Sequence, residues 1–103
     1  MAKNPKLLAE TTAPVDEIGQ ILRAEHGDPF HILGMHVVEV HGQTAVAVRA
    51  FLPNVHQAWV IRGPGEGAVV PLKRIHAGGF FEAVFPGEQA MFPYRLRTRC
   101  SAR

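Results

Sequence analysis

One cysteine, Cys100, among 103 residues leaves no partner for an internal disulfide. The N-terminus shows no basic, apolar and cleavage-site succession of a secretory signal, so a reducing compartment, the cytoplasm, is the expected location. Long apolar runs are missing as well. Stretches such as 45–48 fall far short of the roughly 18–20 residues that span a bilayer, which excludes a membrane helix. Charge of either sign is scarce: 11 Lys and Arg against 9 Asp and Glu give +2, too little and too scattered to predict a nucleic-acid partner. Flat polar aromatics are rarer still, with one tryptophan and one tyrosine. The 47% hydrophobic content suffices for one small core and not for two.

What is present organises itself into one domain. Residues 1–13 carry only Leu7 and Leu8 as large apolar side chains apart from Met1 and lack a burying period, which predicts a flexible leader. From Pro14, Val15, Ile18, Ile21 and Leu22 recur at helical spacing, with Asp16 and Glu17 in the first turn and Gly27 as a stop, predicting a helix over 14–26. A helix this short is marginal alone and needs a sheet to rest on. After Asp28-Pro29-Phe30 come short β-type runs at 37–40, 44–52, 58–62, 69–75, 80–85 and 92–99, separated by Gly- and Pro-bearing turns, with the strongest break at 63–67. Pro71 demotes its run to an edge strand. The spacing and the lack of crossover helices predict an all-β, immunoglobulin-like antiparallel sandwich over 14–99, with 100–103 as a tail at a boundary within a longer protein.

The chemistry available is limited. Catalysis by paired carboxylates needs two that converge in a cleft. Asp28, Glu39, Glu82 and Glu88 are the strand-proximal acids, and Glu82, between Phe81 and Ala83, is expected on a solvated strand face. Cys100 sits in the tail, without a fixed base. His26, His31, His36 and His41 recur every five residues, a step that fits neither helical nor strand ligand spacing. No catalytic, cofactor or metal residue is therefore assigned. Arg95, Arg97 and Arg99 alternate along the last strand as a solvated face, opposite Phe92, Tyr94 and Leu96. Sugar contact needs an exposed ring on which a pyranose can stack. The candidates are Trp59, Phe51, Phe80, Phe81 and Tyr94. Alternation leaves open whether Ala58 and Val60 or Trp59 and Ile61 face inward, and a lone tryptophan in an early sandwich strand is more often core than platform.

The run Gly27-Asp28-Pro29-Phe30-His31-Ile32-Leu33-Gly34-Met35-His36 resembles the G-D-P-F-x-x-L-G-M-H motif near the start of bacterial glycogen branching enzymes. Val48-Arg49-Ala50-Phe51-Leu52-Pro53, Ala58-Trp59-Val60-Ile61, Gly79-Phe80-Phe81 and Pro93-Tyr94-Arg95-Leu96 follow in the family's order. The resemblance covers about 15–99. It implies the first of two N-terminal sandwich modules, related to carbohydrate-binding modules, ahead of a (β/α)₈ barrel that carries the catalytic residues. The parent enzyme would cleave an α-1,4 bond in a linear glucan and rejoin the freed segment as an α-1,6 branch, by double displacement. The implied partners are an α-1,4-glucan and the remaining domains of that enzyme, and the chain alone is expected to be inactive. A stand-alone glycan-binding module and a purely structural sandwich that docks on a neighbour are the other readings. Within the motif a structural account is favoured over sugar contact. Pro29 fixes the exit from the helix, Asp28 accepts backbone hydrogen bonds, Phe30, Ile32 and Leu33 plug the sandwich, and Gly34 permits a bend into Met35 and His36.

Overall fold

The computed structural model describes residues 6–63 and 68–100. The expected turn at 63–67, beyond Gly63, and the outer parts of the expected leader (1–5) and tail (101–103) lie outside the described residues. Helix α1 spans Val15–Leu22. A 3₁₀ turn at Pro29–His31 follows, then seven strands among the described residues: β1 Gly34–Val40, β2 Gln43–Phe51, β3 Val55–Arg62, β4 Val69–Pro71, β5 Lys73–His76, β6 Phe80–Pro86 and β7 Tyr94–Cys100. They form two antiparallel sheets, ordered β1-β2-β6-β5 and β4-β3-β7. This is the expected all-β sandwich with one short helix.

The period-2 patterning shows why the chain takes three layers rather than two. On β6, Phe81, Ala83 and Phe85 face the second sheet and join Val46, Val48, Ala58, Val60 and Leu72 in the inter-sheet core. Phe80, one residue out of phase, faces the other way and packs with Ala13, Ile18, Ile21, Ile32 and Ile75. The four-stranded sheet is thus apolar on both faces, and α1 with the segment before it covers the outer one.

Two boundaries differ from expectation. The helix ends at Leu22, not near residue 26. Ala24 takes a left-handed conformation, φ 57°, while its N–H donates to the Ile21 carbonyl and the Glu25 N–H donates to Gln20. Together these close the helix with the paired bonds of a Schellman turn, which satisfies its last carbonyls before Gly27 is reached. The run 69–75 divides into two strands. Leu72 lies between them, its N–H donating to Ala58 at 2.8 Å, and the chain steps there from the three-stranded sheet to the four-stranded one. Pro71 ends β4, an edge strand, as its missing donor requires.

Candidate functional site

Glu82 is not solvated. It is 3% exposed, directly across the β2–β6 ladder from Arg49, itself 6% exposed. Arg49 Nε donates to Glu82 Oε2 at 3.2 Å, one terminal nitrogen donates to the Ile32 carbonyl at 3.1 Å, and the other donates to Thr12 Oγ1 at 2.9 Å. The Thr12 N–H and hydroxyl both donate to the same carboxylate. Every member is satisfied, as a buried ionic group must be. The cluster joins the segment before the helix to the sheet and, through Ile32, to the Asp28–Gly34 loop.

The cause of the misplaced expectation is Thr12. Residues 6–13 follow no hydrophobic period, yet they cover the sheet. Ala13 is buried, and the Leu8 N–H donates to the Ile75 carbonyl at 2.7 Å. A search for periodic apolar residues cannot see a segment held by polar anchors. The isolated pair of adjacent threonines, Thr11 and Thr12, was the available signal, and Thr11 also caps the turn by accepting from the Ala13 N–H.

The family motif divides between core and surface. Ile32 is buried and Leu33 packs beside it, whereas Phe30 is 78% exposed and plugs nothing. The one-turn 3₁₀ helix explains this, since it turns Ile32 inward and leaves Phe30 on the rim. Asp28 serves through its backbone, not its carboxylate. Its carbonyl accepts from the His31 N–H at 3.0 Å, and its N–H donates to His26 Nδ1 at 2.9 Å. Gly34 enters β1 at φ 93°, a conformation that side chains disfavour. His36 Nε2 lies 2.9 Å from the Leu33 carbonyl and ties the loop to the strand. His26 is likewise taken, 2.8 Å from Glu17.

Of the five ring candidates, Phe80 and Phe81 are buried in the two cores and offer no face to a ligand. Phe51 packs, half-buried, against the helix-side core, and Tyr94 against the inter-sheet core. Trp59 is the exception. Ala58 and Val60 point into the sandwich, so alternation turns Trp59 to the outer face of the three-stranded sheet, where it remains half-buried. Its cross-strand neighbours are Pro71 on β4 and Arg97 on β7. Gln57 and Arg99 pair one step along, and the Arg99 guanidinium lies 6.0 Å from the indole centre. Arg95, Arg97 and Arg99 all occupy this face, as the alternation of the last strand predicts. One ring, three guanidinium groups and an amide therefore share the outer face of the three-stranded sheet.

The remaining strand-proximal acids are set differently. Glu88 accepts from Arg62 at 2.6 Å. That hydrogen bond holds its carboxyl below the usual 4.5 against the opposing effect of desolvation, and the charge of Arg62 adds a smaller lowering. Asp28 and Glu39 are exposed.

Comparison with known proteins accords with this architecture. The family model described as the alpha-1,4-glucan branching enzyme GlgB, N-terminal domain, matches residues 14–102. A 1,4-alpha-glucan branching enzyme GlgB of Cereibacter sphaeroides is 44% identical over 84 residues, which cover 82% of this chain and 11% of that protein. The corresponding proteins of a Nostoc species and a Bradyrhizobium species are 35% identical over 92 residues and 42% over 77, covering 89% and 75% of this chain. The chain spans about one-ninth of the length of these relatives. With a match over nearly the whole sandwich, the chain belongs to the family of N-terminal domains of GlgB branching enzymes.

Proposed function

We propose that the chain is a non-catalytic, glucan-contacting module of a cytoplasmic 1,4-alpha-glucan branching enzyme, and that it influences which glucan chains are transferred during glycogen synthesis. The observation that carries the reading is Trp59. The sheet holds its indole outward between Pro71 and Arg97, while the other four ring candidates are committed to cores. The apolar face of a glucose unit stacks on such a ring, and Gln57, Arg97 and Arg99 supply donors for its hydroxyls. The chemistry of bond cleavage and transfer belongs elsewhere in the longer enzyme, since Glu82 and Glu88 are engaged by arginines.

A single ring on an open face supports weak binding, with a dissociation constant of about 1 mM, near −4.1 kcal/mol. Two-dimensional NMR of the labelled chain titrated with maltoheptaose tests this. Saturable shifts are expected at the Trp59 indole and the amides of Gln57, Arg97 and Arg99, and Trp59→Ala abolishes them while the fold persists. Absence of shifts at sugar concentrations about tenfold above that constant refutes glucan contact and leaves a module that acts through its neighbours in the enzyme.

A further inference from the structure

The sandwich is closed on one side and open on the other. On the closed side, β4 and β5 are edge strands of opposite sheets separated only by Leu72, so the chain itself walls the core there. The opposite edges, β1 and β7, therefore lie on the same side. The Phe92 N–H, just before β7, sits 3.3 Å from Met35 Sδ on β1 and joins the two at one end. Beyond that contact the core-facing side chains of the two strands reach solvent. Val37 stands opposite core Val46 yet is 47% exposed, and Leu96 stands opposite core Val60 yet is 39% exposed. Met91, at the same end as Phe92, is 66% exposed. Val37 and Leu96 thus lie exposed on the inward faces of two edge strands on the same side of the sandwich, where the core beneath them is left partly uncovered.

We infer that this open side is the surface on which the following domain of the branching enzyme docks, closing the sandwich. The inference rests on the module reading and is independent of glucan contact. The family is that of an N-terminal domain, and about eight-ninths of the length of the matched relatives lies outside the region that this chain covers. A large neighbour on the same polypeptide is thus present at high effective concentration. The edge strands dictate its chemistry. It presents an apolar ridge to Val37 and Leu96. Docking on this side leaves the Trp59 face uncovered for sugar.

The test replaces the N-terminal module of the Cereibacter sphaeroides enzyme with this chain and compares hydrogen exchange in the chimera and in the free chain. β1 lies far in sequence from the junction, so protection there reports docking and not mere attachment. Exchange across 35–40 is expected to slow at least about tenfold in the chimera. The V37E/L96E double variant restores the free-chain rate, whereas Val69→Glu, an exposed apolar position on the closed side, does not. Melting of the free variants checks that each still folds. Equal β1 exchange in chimera and free chain overturns the inference. So does loss of protection with Val69→Glu, or protection that appears in the free chain as its concentration rises, which identifies a second copy as the occupant. None of these readouts involves maltoheptaose, so failure here and failure of the glucan reading are separable.

Discussion

Replacing Glu82 by leucine isolates the buried cluster. The substitution removes the acceptor of the Arg49 guanidinium and of the Thr12 N–H and hydroxyl, and leaves a cation that is only 6% exposed. Breaking a buried pair by deleting one partner costs about 3–5 kcal/mol. That is a large share of the roughly 5–15 kcal/mol that holds a domain together. At about 4–8 °C per kcal/mol for a chain of this size, Tm falls by at least ~12 °C. The double replacement Arg49→Met with Glu82→Leu removes both charges and keeps apolar volume on a face that already carries Ile32 and Phe80. It is expected to recover part of that loss by removing the lone buried charge, but to stay below the parent, because the Thr12 N–H and the Ile32 carbonyl lose their partners. Thermal and urea unfolding of parent, both singles and the double close the cycle. A loss under about 1 kcal/mol for Glu82→Leu, or a double variant no better than the worse single, refutes the assignment of a tightly coupled buried pair.

Three further substitutions probe other steps of the reasoning. Gly79 has φ 112°, and a Cβ there would meet the Pro53 backbone at 2.5 Å, so Gly79→Ala should destabilise by more than about 3 kcal/mol in denaturant unfolding. Phe30→Ser should change stability by no more than about 0.5 kcal/mol, because the ring is largely in water; a loss of several times that would restore the plug reading. Glu88 has a depressed folded-state carboxyl, so its pairing stabilises above its ordinary value of 4.5 and is lost as pH falls through the lower folded value. The stability difference between parent and Glu88→Gln should therefore be largest near neutrality and shrink below that value, as followed by unfolding at stepped pH. A difference that stays constant through the acid range would show that charge is not its source.

Much of the architecture was legible without coordinates. Alternation in 44–52 and 80–85, the breakers between runs and the proline that marks an edge are local signals, and they define strands, turns and a sandwich. The motif at 27–36 likewise marks the family from neighbouring residues alone. Which aromatic faces outward was not legible. Trp59 and Val60 alternate with equal right to the interior, and the choice falls to the second sheet, which packs against Ala58 and Val60. Glu82 carries the same lesson with the opposite sign. Period 2 puts it on the outer face, but only tertiary structure brings Thr12, 70 residues away, over that face and turns a solvated position into a buried one. The sequence by itself determined the elements, because propensity and period act within a few residues. Tertiary structure alone decided what covers each face, which edge stays open and which ring faces outward, because burial depends on contacts between residues far apart in the chain.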